Sequence, residues 1–346
     1  MSKKVTMDDI AEKLGISKNT VSLALRGMPG ISESTRKVIE QTAREMGYTY
    51  KVSARKNTMA RNLCLIIAKS TRDSIGFFSY VQLGIEDEAK KNNLNTIIHY
   101  YDENVQGFET PNCVKDGMVS GIITLGRISR ETINCIVGYN LPVVMVDNYF
   151  DNLSMDYILT DNHSGGYAAT EYLIDCGHTK IGFLGDISAS ISFYDRYQGF
   201  LKALRDRGIE INEGYSITDK KLEELPQEDI TGLVNEIRTK AGLPTAFFCC
   251  NDAEAIVIIK VLKNIGVLVP NKISIIGFDD IENAANVTPE LTTMRVQKEI
   301  MGKGAVCKLM EKLEQEIKSS EKILLSACLI KRNSVNRSDM AFHGSC

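Results

Sequence analysis

The chain is short of the features that mark several protein classes. No apolar run approaches the roughly 18 residues of a membrane-spanning helix. The first residues, Met1-Ser2-Lys3-Lys4 with Asp8 and Asp9 close behind, form neither an apolar core nor a cleavage site. No export signal is therefore expected, and the expected location is the cytosol, with no membrane partner. The nine cysteines are odd in number and contain no CxxC pair. That excludes a disulfide framework or zinc site from the reading and leaves most of them as reduced core thiols. Neither a G-x-G-x-x-G fingerprint nor a P-loop occurs, so a nucleotide or dinucleotide enzyme is unsupported and no cofactor is expected. Histidine occurs four times. His163 and His178 have no nucleophile or metal partner spaced with them, and both read as structural. No catalytic residue is assigned and no metal is expected.

What is present describes a folded protein of two to three domains, at roughly 150 residues each. The 346 residues are 25% charged and 43% hydrophobic, with a net charge of −3. Charge is unevenly spread. Residues 1–61 hold 12 Lys/Arg against 6 Asp/Glu, and residues 62–346 hold 29 against 38. A polyanion would be drawn to one end only.

In the basic segment, Thr6 and Asp9 suit the start of a helix that carries Ile10, Ala11 and Leu14 inward and stops at Gly15. Ser17 opens a second helix. There Val21, Ala24 and Leu25 face inward and Lys18, Asn19 and Ser22 face outward. Ser32 opens a third, with Val38, Ile39, Ala43 and Met46 as its stripe and Gly47 as its stop. Two short helices joined by a Gly turn and followed by a third make a helix-turn-helix domain. The start of the second helix is the end that reaches base edges, where Lys donates to guanine and Asn binds adenine. Thr6, Ser17, Ser22, Ser32 and Thr35 suit phosphates. Thr20, Leu23 and Arg26 complete the DNA-facing set of this domain.

From residue 62, apolar strands alternate with helical patterns. The strands are expected at 63–68, 95–100, 121–125, 143–146, 181–185, 246–250 and 273–278, and helices at 79–94, 164–177, 196–208 and 251–266. This is an α/β pattern of parallel sheets with crossover helices. About 275 residues suit two similar lobes rather than one sheet. Ligands of such sheets bind beyond the carboxyl ends of strands. Polar groups stand there: Ser70 with Phe77 and Phe78, Asp147, the serine-rich turn to Arg196, Asn251-Asp252, and Asp279-Asp280. Carboxylates, an amide, an arginine and aromatics in one cleft suit a polyhydroxylated ligand. Asp147 and Asp252 are equally suited to capping the helices that follow them.

Residues 5–27 (VTMDDIAEKLGISKNTVSLALRG), then ISESTRKVIEQTAREMGY, resemble the DNA-binding domain of the LacI/GalR repressor family. Further landmarks continue the resemblance over about residues 5–337: Asp161-Asn162 with Gly165-Gly166, Gly177-His178, Arg196-x-x-Gly199-Phe200, Asn251-Asp252, Ile276-Gly277-Phe278-Asp279-Asp280 and Arg332-x-Ser334. The resemblance implies a periplasmic-binding-protein-like body with a cleft between two lobes. It implies effector contacts at Asp147, Arg196, Asn251 and Asp279, with cleft walls at Phe77, Phe78, Ser192 and Phe248. With no Trp in the chain, the Trp ring platform of some members is missing. The implied layout is a DNA-binding domain over 1–50, a linker over 51–62 and a body over 63–337, followed by a tail. Lobe one takes about 63–160 and 291–321, and lobe two about 161–290 and 322–337.

The linker departs from the family pattern. Tyr50 stands where a Pro is usual, and Asn57 stands at the position of the leucine that wedges into the central base step. Ala54 and Arg55 are kept, and Lys51, Arg55, Lys56 and Arg61 still supply charge for phosphates. The expected partners are an operator in double-stranded DNA, a sugar-like effector and a second copy of the chain. Residues 337–346 carry no leucine heptad, so a dimer rather than a tetramer is expected. Two other classes remain open from sequence: a sugar- or nucleoside-binding protein, and a sugar-active enzyme carrying an accessory DNA-binding module.

Overall fold

The computed structural model describes residues 5–25, 31–48, 62–73, 76–102, 105, 107–314 and 319–338. Its first domain is built by capping. The Thr6 hydroxyl accepts from the Asp9 N–H while the Asp9 carboxylate accepts from the Thr6 N–H at 2.7 Å, opening α1 (Met7–Leu14). Gly15, at φ 64°, ends it in a conformation that a Cβ would disfavour. Ser17 Oγ accepts from the Thr20 N–H at 3.0 Å to open α2 (Lys18–Leu25), and Ser32 accepts from the Thr35 N–H to open α3 (Glu33–Glu45). Ile10, Ala11, Val21, Ala24, Ile39 and Ala43 form one core. Val38, expected on the inward stripe, is instead 53% exposed. It lies one helical step, about 100°, from Ile39, which takes the buried face with Ala43.

The body runs β1 (Asn62–Ala68), α4 (Lys69–Asp73), α5 (Phe78–Lys91), β2 (Asn95–Tyr101), α6 (Asn112–Lys115), β3 (Gly121–Leu125), α7 (Arg130–Val137), β4 (Val143–Val146) and β5 (Asp156–Thr160). It continues through α8 (Asn162–Asp175), β6 (Ile181–Leu184), α9 (Ile191–Asp206), α10 (Gln227–Lys240), β7 (Ala246–Cys249), α11 (Asp252–Asn264), β8 (Ser274–Asp279) and β9 (Thr292–Arg295). Last come α12 (Lys298–Glu314), β10 (Lys322–Leu325) and β11 (Cys328–Ile330).

Two sheets result, in the orders β10-β5-β4-β3-β1-β2 and β11-β9-β8-β7-β6. All their pairings are parallel except that of β11 with β9. The chain crosses between lobes three times, after β5, after β9 and after β10. This corrects the expected lobe boundaries. β9 completes the second sheet, so lobe two extends to Arg295 rather than 290, and β10 joins the first sheet, so lobe one extends to Leu325 rather than 321.

All seven expected strands are present, with ends shifted by a residue or so. The other four carry weaker patterns. β10 and β11 are half-exposed edge strands, and β9 is rich in threonine. β5 begins with a buried aspartate, Asp156, whose carboxylate accepts from the Glu321 N–H at 3.0 Å and pairs with Lys312 at 2.9 Å.

His178 is buried and structural: its ring nitrogens contact Thr245 Oγ1 and the Asn336 carbonyl, each at 3.0 Å. The cysteine expectation needs correcting. Among the described residues Cys64, Cys249 and Cys250 are buried, whereas Cys135, Cys307 and Cys328 are exposed. The last three lie on outward faces of α7, α12 and the edge strand β11. No helix among the described residues is long and apolar enough to cross a membrane, and no group of three or more metal-ligating side chains occurs among them.

Candidate functional site

The start of α2 carries Ser17, Lys18 and Asn19 fully on the surface, with Thr20, Ser22 and Leu23 half-buried behind them. Lys18 Nζ meets Asp8 at 2.8 Å, with both side chains mostly exposed. An exposed pair of this kind is weak and screened by solvent, so it is easily exchanged for a base or phosphate. Ser17 and Thr20 share a hydroxyl–hydroxyl hydrogen bond of 2.8 Å, and Ser32 and Thr35 share one of 2.7 Å. Thr6, Ser17 and Ser32 thus serve first as helix caps, while remaining exposed at helix N-termini where backbone N–H groups can face an anion. Arg26, Tyr50, Arg55 and Asn57, with the linker as far as Arg61, lie outside the described residues.

The second site is a cleft of about 830 Å³ at the carboxyl ends of the two sheets. Arg196 anchors it. Glycines let α8 and α9 lie backbone to backbone: a Cβ on Gly166 would fall 2.2 Å from the Arg196 carbonyl oxygen, and one on Gly199 would fall 2.1 Å from that of His163. So seated, Arg196 is 2% exposed. Its Nε donates to Asn162 Oδ1 at 2.8 Å, Nη1 to the Cys250 carbonyl at 2.6 Å and Nη2 to Asp279 Oδ1 at 3.0 Å. Its guanidinium also stacks 3.8 Å above the Phe278 ring centroid. With three of five N–H groups engaged, two remain to be shared with a ligand.

Two carboxyls of the cleft sit at strained backbone positions, Asp147 at φ 58° and Asp279 at φ 112°. The Asp147 carboxyl is pushed up to about 7 by burial, with Arg196 pulling it down and Asp279 adding to the rise. Burial also raises Asp279, against Arg196 and Lys298. Ser192 Oγ donates across the lobes to Asp147 Oδ1 at 3.3 Å. Asn251 caps α11 by accepting from the Glu254 N–H at 2.8 Å, which leaves its amide NH₂ for the cleft. Asp252 and Asp280 belong to the frame instead. Asp252 is buried, accepts from Thr293 Oγ1 at 2.5 Å and from the Ile281 N–H at 2.9 Å, and is pushed up to about 8 by burial. Asp280 is held by Arg295 and Arg332, each at 2.6 Å.

Ser70, Phe77, Phe78, Asp147, Ser192 and Arg196 all line the cleft, as do Asn251 and Asp279. Phe248 does not. It is 0% exposed and packs among Phe183, Phe200 and Phe278. It sits inside β7 rather than beyond its end, where both sheet faces are covered. Sequence reasoning missed the Phe150–Asn152 stretch, Arg127, and the wall formed by Lys221, Glu223 and Glu224. Applying the strand-end rule to β3 would have found Arg127. The Lys221–Glu224 wall is a short 3-10 turn that follows no strand, and no sequence signal marks it. A second hollow of similar volume, against His99, Phe108 and Ser129, lies on lobe one alone.

Residues 6–50 match the model of the bacterial regulatory proteins of the lacI family, and residues 170–335 match a periplasmic binding protein-like domain. The chain is 30% identical to the probable HTH-type transcriptional repressor ExuR of Bacillus subtilis over 337 residues, covering 96% of this chain and 99% of that one. The chain belongs to the lacI family. The ribose operon repressor of Haemophilus influenzae is another relative of this lacI-family protein, 29% identical over 95% of this chain and 98% of its own length. Among solved structures, the lac repressor dimer bound to operator and an anti-inducer superposes with a TM-score of 0.66 at 21% identity. It covers 96% of this chain and 100% of that one, and it shares the fold. This lacI-family member is therefore a DNA-binding transcriptional regulator with a helix-turn-helix domain and a two-lobed body, and its relatives are named as repressors.

Proposed function

We infer that this regulator is a cytosolic repressor that binds a palindromic operator as a homodimer, and that a small sugar-like effector in the cleft changes its affinity for the operator. The observation that carries the effector reading is the convergence of Asp147, Asn251 and Asp279 from three strand ends and Arg196 from α9, out of both lobes, on one cleft. Fixed N–H donors beside carboxyl acceptors satisfy vicinal hydroxyls, while Phe77, Phe78 and Phe193 offer apolar faces. A relative named as a repressor of a ribose operon supports a sugar. One helix-turn-helix domain covers a half-site, so two-fold symmetry pairs a dimer with a palindrome. On DNA, Lys18 and Asn19 are assigned to base edges. Thr6, Ser17, Ser22, Ser32 and Thr35 are assigned to the backbone. A ligand that binds one lobe arrangement more tightly shifts the equilibrium between arrangements, and with it the spacing of the two DNA-binding domains.

Selection of operators from random DNA, with and without a sugar panel, tests this reading. The expected result is a palindromic site whose retention changes with one class of sugar. A selected site without two-fold symmetry, or turnover of the sugar in a product assay, would overturn it.

A further inference from the structure

One wall of the cleft holds a pair of carboxyl groups that the contacts described above do not use. Glu223 lies on the cleft surface of lobe two, and Glu254, at 0% exposure, lies directly behind it on α11. Glu254 Oε1 accepts from the Leu222 N–H at 3.2 Å. The Oε2 atoms of Glu254 and Glu223 are both buried, and neither receives an N–H or hydroxyl donor. Burial, with the Glu223 carboxyl beside it, pushes Glu254 up to about 10. Asp186 and the thiols of Cys249 and Cys250 also face Glu254, and all of them are acids. With its carboxyl raised this far, Glu254 keeps its proton at neutral pH. That proton stands behind Glu223, which itself lines the cleft.

The neighbouring charges are already matched. Lys221 pairs with Glu224 at 2.8 Å, and Arg196 pairs with Asp279. Among the described residues, five carboxyls and three cationic side chains line the cleft, of which Arg127 is exposed. A ligand phosphate or carboxylate facing Glu223 would meet like charge in a partly desolvated site, whereas a hydroxyl would meet an acceptor already fixed in place.

We propose that Glu223 is a specificity-determining contact of the cleft: backed by the buried Glu254, it accepts from hydroxyls of an uncharged polyol effector and turns away phosphorylated or carboxylated sugars. Glu254 is a positioning residue. This inference rests on the cleft being the effector site.

The test is calorimetry on the full chain with a panel of neutral pentoses, hexoses and disaccharides, each beside its phosphate ester and uronic acid. A neutral sugar is expected to bind at least a hundredfold more tightly than its phosphate ester. Glu223→Gln should weaken it at least tenfold and narrow that discrimination. Glu254→Leu, which also leaves the Leu222 N–H without its acceptor, should lower the melting temperature, weaken the neutral sugar and narrow the discrimination against its phosphate ester, a ratio that a merely structural role would not move. Glu254→Gln, whose amide donates in place of the acid proton, should restore most of the loss. Preference for a phosphate ester or uronate, the absence of any neutral binder, or an unchanged Glu223→Gln overturns the proposal. If Arg196→Ala abolishes binding while Glu223→Gln does not alter it, only this inference fails. If binding survives Arg196→Ala, the cleft reading fails first.

Discussion

Asp147 is the residue in which backbone strain, burial and titration meet. Its carboxyl is raised from 3.8 to about 7, so it is largely neutral in mildly acidic solution and ionised in mildly alkaline solution. A ligand hydroxyl donating to it favours the ionised form, so effector affinity should rise as pH goes from about 6 to about 8. The stability of the ligand-free protein should move the other way. The folded value lies above the unfolded one, so the unfolded state releases its proton first, and stability falls as pH rises from about 4 through about 7. Asp147→Asn should flatten the affinity dependence and lessen the stability slope, to which the raised Asp252, Asp279 and Glu254 also contribute, read by calorimetry and by urea melts. Affinity that is flat with pH in the parent protein would contradict the assignment. Arg196 presents a second case. Its replacement by Ala strands Asp279 in a dry site and should cost about 3–5 kcal/mol of stability as well as ligand binding. A urea melt within about 1 kcal/mol of the parent would show that the pair is not desolvated as described.

At the scale of elements, the cleft depends on how α8, α9 and the Tyr149 loop are held. Gly166→Ala would press a methyl against the Arg196 carbonyl. It should cost about 1–3 kcal/mol and weaken ligand binding by displacing the guanidinium, in proportion to the shift of α9. Across the lobes, Tyr149 Oη donates to Asp195 at 3.1 Å while Lys322 Nζ lies 3.4 Å from the centroid of its ring. Tyr149→Phe removes this link and should release about 0.5–1.5 kcal/mol of closure, seen as a larger radius of gyration in solution scattering without ligand. An unchanged radius would show that the link does not hold the lobes. Much of this scaffold is legible in sequence. The helices of the first domain follow from Thr6, Ser17 and Ser32 as caps and Gly15 and Gly47 as stops, and the main strands follow from apolar runs bounded by polar ends. What escapes is set by long-range contacts. Asp156 hides β5 because its partner Lys312 is far off in sequence. The 3-10 turn carrying Glu223 acquires its place only when α11 packs beneath it. Phe248 reads as a cleft wall until the helices covering both faces of β7 are known.

The whole molecule joins a basic reader of DNA to an acidic sensor, and each has its own core. That separation predicts independent failures. Lys18→Ala should cost about 1–3 kcal/mol at particular half-site positions while leaving ligand binding intact, measured by operator variants in a mobility-shift titration. Retained base preference in that variant would misplace the recognition helix. Changes in the cleft should do the reverse. The most direct measurement is a fluorescence-anisotropy titration of the selected operator with the parent protein and with Arg196→Ala, each with and without the cleft ligand, at a temperature where both are folded. Ligand is expected to shift operator affinity at least tenfold in the parent, a coupling of about 1.4 kcal/mol, whereas Arg196→Ala keeps the ligand-free affinity but loses the shift. An undiminished shift in Arg196→Ala would contradict that expectation.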